Sequence, residues 1–221
     1  MCIRDSATKF KSECIQPGTE GLIPNRNVSV GSEDCLYLNI YIPKNQTDLD
    51  KNQFPVMFWI HGGSNIWGSG DFYDFSKLAT TQQVIVVTIN YRLGLFGWFS
   101  SEHLRNTATG LDKSSNFGQL DLIKGLEWVQ ENISAFGGDK DNITIFGESA
   151  GGHNVLTLLA SPLSEGLFHK AISQSGYVSS YTQKFADEES ELSSKKIFAE
   201  ETKFLVSDTE VADYLRSLSS E

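Results

Sequence analysis

Two continuous apolar runs of strand length stand out along the chain, Pro55-Val56-Met57-Phe58-Trp59-Ile60 and Val84-Ile85-Val86-Val87-Thr88-Ile89. Continuous rather than alternating hydrophobicity predicts strands covered on both faces, as in a parallel sheet packed by helices. Leu36 to Ile42 alternates only loosely, is rich in aromatic and branched residues, and predicts a strand closed by Pro43, with a polar loop from Lys44 to Gln53 after it. Leu120, Ile123 and Leu126, with Trp128 and Val129 beyond, fall near helical spacing up to Ile133, and Gly137-Gly138 ends the segment. Ile143-Thr144-Ile145-Phe146 predicts a short strand, and Val155, Leu156, Leu158 and Leu159 a buried helix halted by Pro162. Ala171-Ile172-Ser173 is a further strand. Strand and helix in alternation predict an α/β fold with a mainly parallel sheet. No internal repeat is visible, and the charged, Ser-rich tail after Ser179 predicts peripheral helices.

Composition narrows the picture. A chain of 221 residues with 39% hydrophobic and 21% charged content suits one globular domain or most of one, and four Trp, seven Tyr and fourteen Phe argue against disorder. No apolar run approaches the roughly 20 residues that cross a bilayer, so no membrane span is expected. A formal net charge of -10 repels nucleic acid and anionic lipid, leaving neutral or cationic small molecules as the electrostatically favoured partners. Much of that charge is local, and Asp187, Glu188, Glu189, Glu191, Glu200 and Glu201 read as a solvated helix face. Met1 to Ser6 holds no apolar stretch with a small-residue cleavage site, so it does not read as a signal peptide.

The chemistry is concentrated where the strand at Ile143 runs into Gly147-Glu148-Ser149-Ala150-Gly151. The pattern G-x-S-x-G is short enough to occur by chance, and Ser149 could simply cap the following helix. Its setting decides otherwise, because a strand before and a helix after put the serine hydroxyl on a sharp exposed turn. Gly147 and Gly151 leave no Cβ in that turn, and the Ala150 N–H at the helix start is a candidate oxyanion donor. A second piece, His61-Gly62-Gly63-Ser64, directly follows the strand ending at Ile60 and offers unhindered backbone N–H groups. Alone it would be a tight turn; with the nucleophile turn downstream it reads as the other half of an oxyanion hole.

These motifs belong to a longer ordered series: Ser32-Glu33-Asp34-Cys35-Leu36-Tyr37-Leu38-Asn39, His61-Gly62-Gly63, Asn90-Tyr91-Arg92-Leu93-Gly94, Asn116-Phe117-Gly118 with Leu120-Asp121, Phe136-Gly137-Gly138-Asp139, Phe146 to Gly152 and Gln174-Ser175-Gly176. Across roughly residues 12 to 180 the chain resembles the type-B carboxylesterase and cholinesterase family of the α/β-hydrolases. The resemblance implies an α/β-hydrolase fold, with a central mostly parallel sheet flanked by helices, and hydrolysis of carboxylic esters through an acyl-enzyme without metal or cofactor. It implies Ser149 as nucleophile, Gly63, Ser64 and Ala150 as oxyanion donors, and Gly147, Glu148 and Gly151 as the nucleophile elbow. Ser64 departs from the family's glycine, and its Cβ would tilt the loop or narrow the acyl pocket. Arg92 and Asp121 are similar to an internal ion pair of the family, and Cys14 with Cys35 to its first disulfide. A bridge there implies an oxidising compartment, secreted or periplasmic; two reduced thiols are the alternative, and Cys2 is left over. Ser175 matches a motif near the active-site floor, where either a hydrogen bond to the triad or plain turn chemistry is expected.

In this fold the nucleophile precedes acid and histidine along the chain. The resemblance places both beyond Glu221, and none of His61, His103, His153 or His169 suits the base. The chain therefore reads as an internal fragment, with the fold incomplete at both ends. Residues 1–11 form an unmatched leader and a candidate assembly artefact, 12–180 the N-terminal and central part of the catalytic domain, and 181–221 a charged helical continuation. The loop from Ile15 to Asp34 lacks the Trp with which cholinesterases bind choline, so choline esters are not expected. Asn27, Asn45, Asn132 and Asn142 start acceptor patterns for N-glycosylation, which arise often by chance. The substrate expected is a neutral acyl or aryl ester. Two other readings compete: a non-catalytic adhesion or binding module of the same fold, against which the intact Ser149 counts, and a fragment inactive by itself.

Overall fold

The computed structural model describes residues 9–20, 23–44 and 53–218. The leader Met1 to Ser6 with Cys2, and Asn45 in the loop before residue 53, lie outside them. The apolar runs form the middle of a five-stranded sheet of order β3-β5-β4-β6-β7, comprising β3 (Leu38–Tyr41), β4 (Phe54–Ile60), β5 (Ile85–Ile89), β6 (Gly138–Glu148) and β7 (Lys170–Gln174). β4, β5, β6 and β7 pair in parallel, and β3 joins β5 antiparallel. The mainly parallel sheet expected from the sequence is therefore present.

Both faces of the central strands are covered, which accounts for the continuous runs. Val56, Phe58 and Ile60 of β4, Ile85, Val87 and Ile89 of β5, and Ile143 and Ile145 of β6 point to one side. There they meet α4 (Phe117–Asn132), through Leu122, Leu126 and Val129, and α5 (Ala150–Ala160), through Val155 and Leu158. Trp59, Val86 and Phe146 alternate to the other side and pack with Ala79 of α1 (Ser76–Gln82) and with Phe75. Each wholly buried Val, Leu, Ile or Phe contributes about 1.5–3 kcal/mol relative to exposure. α4 begins at Phe117, before the apolar spacing becomes regular at Leu120, because Gly118 lies flush against Trp98 and carries no apolar signal.

Short helices α2 (Gly94–Trp98) and α3 (Glu102–Thr107) follow β5. Beyond β7 come a π-helical turn at Phe185–Glu189, α6 (Ser194–Ile197), α7 (Ala199–Thr202) and α8 (Asp208–Ser217). α8 packs on α3 and starts with a capping box between Ser207 and Glu210. The tail is peripheral, as expected, but Asp187 is not part of a solvated face. It is buried and paired with Arg105, and the Ser100 hydroxyl donates to it at 2.7 Å. This correction has a simple cause: the partner lies 82 residues away in sequence, outside the reach of a local charge pattern.

A hairpin of β1 (Gln16–Glu20) and β2 (Ile23–Val30) occupies the segment read as a loop. Pro17 and Gly18 mark a bulge in it, so turn-forming residues sit inside a strand on the rim of the fold. Among the described residues no helix is long and apolar enough to cross a membrane, and no cluster of three or more His, Cys, Asp or Glu is placed to hold a metal ion.

Candidate active site

β6 carries the chain to Glu148 at the carboxyl end of the sheet, and α5 leaves it at Ala150. Ser149 joins them with φ 55 and ψ -119, a conformation L residues rarely adopt and one that costs on the order of 1–3 kcal/mol. Two backbone bonds hold it there: the Ser149 N–H donates to Gln174 O at 2.9 Å, and Ser149 O accepts the His153 N–H at 2.9 Å. Its hydroxyl does not cap the helix, and a capping serine would have an extended backbone. Capping is thereby excluded as its role. Gly147 and Gly151 permit the turn because a Cβ on Gly151 would lie 2.0 Å from Ile60 O, and one on Gly147 2.5 Å from the Gly151 carbonyl carbon.

The loop after β4 lies against this turn. A Cβ on Gly62 would stand 3.3 Å from Ser149 Cβ and 2.8 Å from Glu148 O. Gly63, Ser64 and Asn65 have φ of 96, 59 and 57, so three successive residues are left-handed. Gly63 has no alternative, since a Cβ would lie 2.0 Å from Trp67 O. Ser64 follows it into the left-handed region, which is how the chain accommodates a side chain where the family pattern has glycine.

Two carbonyls of this loop, those of Gly62 and Gly63, are held by hydrogen bonds. The His61 ring, through Nδ1, holds Gly62 O at 2.8 Å, and Gly63 O accepts from Ile66 N at 2.9 Å and Trp67 N at 3.1 Å. A trans peptide directs its N–H opposite to its C=O. Fixing Gly62 O and Gly63 O therefore fixes the directions of the Gly63 and Ser64 N–H groups. Neither donates to another group among the described residues, and the Ala150 N–H is a first-turn orphan of α5. The three expected oxyanion donors are thus free and on the two segments that meet at Ser149.

His61 is buried, stacked on Tyr91 with ring centroids 4.3 Å apart, and its Nε2 has no hydrogen-bond partner. Burial lowers its pKa to about 4, against smaller opposing effects of the Gly62 carbonyl and Asp71, so it is neutral and donates from Nδ1. The Tyr91 hydroxyl donates to His61 O at 2.6 Å, and burial pushes its phenol well above the ordinary value. In the sequence Tyr91 is visible only within the Asn90-Tyr91-Arg92 motif; its place just beyond β5 and immediately before Arg92 is the signal that marks it.

The four histidines are all engaged elsewhere. His103 bonds Asp208 at 2.6 Å across α3 and α8, His153 bonds Tyr177 O, and His169 accepts the Ile143 N–H at 3.1 Å. Among the described residues no side chain hydrogen-bonds the Ser149 hydroxyl. Ser175, exposed with φ 53, makes no bond to Ser149 and has the left-handed backbone of a turn.

Arg92 and Asp121 form a bidentate pair, Nε to Oδ2 at 2.8 Å and a terminal nitrogen to Oδ1 at 2.7 Å, with the Arg92 N–H adding a third bond at 3.0 Å. Asp121 on α4 is buried and raises the Arg92 pKa. Cys14 and Cys35 are joined in a disulfide. Asn90 and Gln16 connect that bridge to the turn beyond the oxyanion loop. Asn90 accepts from Gly70 N at 2.7 Å and donates to Cys35 O at 3.1 Å; Gln16 accepts from Gly68 N at 2.7 Å and donates to Cys14 O at 3.1 Å.

The model of the Carboxylesterase family matches residues 4–221. Para-nitrobenzyl esterase of Bacillus subtilis is 49% identical over 172 residues, covering 77% of this chain and 33% of that protein. Carboxylesterase 1E of Rattus norvegicus is 47% identical over 181 residues, covering 77% of this chain and 30% of that protein. A solved PNB esterase superposes with a TM-score of 0.73 at 40% identity, covering 96% of this chain and 40% of that one. The chain thus spans about a third of the length of the curated relatives it matches.

Proposed function

We propose, because the chain belongs to the carboxylesterase family, that it carries the nucleophile and oxyanion half of a serine carboxylic-ester hydrolase with Ser149 as the attacking group. The observation that carries this reading is the backbone at Ser149, strained and uncapped, with the glycine loop after β4 lying against it. Strain of that kind persists where the surrounding structure over-determines it and is concentrated at functional turns.

In the proposed reaction Ser149 Oγ attacks the ester carbonyl carbon while a general base takes its proton. The carbonyl oxygen becomes an oxyanion held by the N–H groups of Gly63, Ser64 and Ala150, each worth on the order of 100-fold in rate. Collapse expels the alcohol, which receives the proton, and leaves an acyl-enzyme that water hydrolyses by the same route. Among the described residues none of the four histidines hydrogen-bonds Ser149, each being held through Nδ1 by another group, so a base from outside these four is proposed. Gly147, Glu148 and Gly151 shape the elbow, and Arg92 with Asp121 braces the loop after β5.

Apolar side chains are exposed at Ile66, on the loop after β4, and at Leu95 and Phe96 of α2, and the Gly94 N–H ties the two segments together by donating to Asn65 O at 2.7 Å. They support a neutral acyl or aryl ester as substrate. The disulfide supports an oxidising compartment, secreted or periplasmic. The test is hydrolysis of a p-nitrophenyl acyl ester by a longer polypeptide, this chain extended to the length of its relatives, beside its Ser149→Ala form. Turnover lost in the variant supports the proposal; equal turnover in both, or none in either, rejects it and favours a non-catalytic binding module.

A further inference from the structure

The oxyanion donors come from two separate pieces of backbone. Gly63 and Ser64 lie on the loop after β4, Ala150 on the first turn of α5, and the distance between them must hold to within a few tenths of an ångström to stabilise charge. The β4–β6 ladder aligns the two strands only as far as Ile60 opposite Gly147. Beyond that point β4 gives way to its loop, while β6 continues beside β7 through Glu148 before the turn at Ser149. One side-chain bond crosses from the helix to the loop among the described residues: Asn154 Nδ2, on α5, donates to Asn65 Oδ1 at 2.9 Å.

Asn154 is 1% exposed, deep on the inner face of α5, where an unpaired amide would cost about 1–3 kcal/mol. Its reach is therefore not incidental. Asn65 suits the other end, because asparagine tolerates the left-handed backbone at φ 57 better than other side chains do. Asn65 O in turn accepts the Gly94 N–H at 2.7 Å. Asn65 thus joins three segments: its own loop, the nucleophile helix and the loop after β5. Neither asparagine touches the position of the reacting atoms.

Resting on the esterase reading above, we infer that Asn65 and Asn154 are positioning residues, a clamp that fixes the Ser64 side of the oxyanion hole relative to Ala150. Such a clamp acts on the transition state, where the oxyanion is fully charged, and not on ground-state binding. Its loss lowers kcat and leaves KM nearly unchanged.

The test uses the same extended polypeptide and p-nitrophenyl ester turnover, with Ser149→Ala as the control for the esterase reading. Asn65→Gly removes the side-chain acceptor while keeping the left-handed backbone at no steric cost. Asn154→Leu removes the donor, and Asn65→Asp retains an acceptor as the conservative rescue. The clamp predicts a fall in kcat of about 10-fold for Asn65→Gly and for Asn154→Leu, KM within about 2-fold, and a double variant no worse than the poorer single one. Affinity for a trifluoromethyl ketone, whose hemiketal oxygen occupies the oxyanion position, falls by the same factor, and Asn65→Asp recovers most of both losses. Wild-type turnover abolished by Ser149→Ala, with Asn65→Gly retaining full kcat and inhibitor affinity, overturns the clamp alone. Turnover that survives Ser149→Ala overturns the esterase reading and the clamp with it.

Discussion

His61 makes the stability of this fold depend on pH in a way that can be isolated. In the unfolded chain its imidazole titrates near 6.5; in the folded chain burial lowers that to about 4. Between those values the unfolded chain holds a proton on His61 that the folded chain does not, so stability rises with pH across the window. The stabilisation of the neutral ring is complete above pH about 6.5, shrinks as pH falls, and is gone below about 4, a total of about 3 kcal/mol. Substitution of His61→Asn keeps an amide donor toward Gly62 O and removes the titration. Urea unfolding of both proteins at several pH values measures the effect, because carboxylates elsewhere contribute equally to each. The wild-type chain should lose about 3 kcal/mol more than the Asn variant between neutral pH and pH about 4. Parallel decline of the two would refute a buried neutral His61, and with it the argument that its Nδ1–H orients the Gly62 carbonyl.

Two further outcomes follow from close contacts on the same side of the sheet. Gly151→Ala places a Cβ 2.0 Å from Ile60 O and must push α5 away from β4; the chain should remain folded with a loss of about 1–3 kcal/mol, while the rate of phosphonate labelling at Ser149 drops roughly 100-fold. Retention of the wild-type labelling rate would contradict the close approach. Reduction of the Cys14–Cys35 bridge, which closes a loop with a sequence separation of 21, should lower unfolding stability by roughly 3 kcal/mol, measured by urea titration with and without dithiothreitol. A shift well under 1 kcal/mol would mean that the hydrogen bonds of Asn90 and Gln16 hold the segment without it.

What could be read from the sequence is what local patterns encode. β4 and β5 were legible because burial on both faces leaves Thr88 as their one polar side chain, and Ser149 because its five-residue pattern sits between a strand and a helix. The Cys14–Cys35 bridge and the Arg92–Asp121 pair were legible only through family resemblance, since spacing does not determine pairing. The β1–β2 hairpin was missed because Pro17, Gly18, Pro24 and Asn25 favour turns, and the antiparallel pairing and disulfide that override them are contacts at a distance. Asn65 and Asn154 lie 89 residues apart, and Arg105 and Asp187 82. Polar partners so distant carry no periodic signal. The left-handed backbone at Ser64 and Asn65 was equally hidden, because neither residue is a glycine.

In the proposed reaction the strained turn at Ser149 presents a nucleophile to an oxyanion site. A fluorophosphonate probe with intact-mass and peptide-level mass spectrometry, applied to this chain and to a version extended to the length of its relatives, tests this directly. One adduct is expected on the extended protein, located on Ser149 and abolished by Ser149→Ala, with far slower labelling of the 221-residue chain, in which no described side chain hydrogen-bonds the Ser149 hydroxyl. An adduct on another residue, or an extended protein that stays unlabelled while correctly folded, would contradict the proposed reaction.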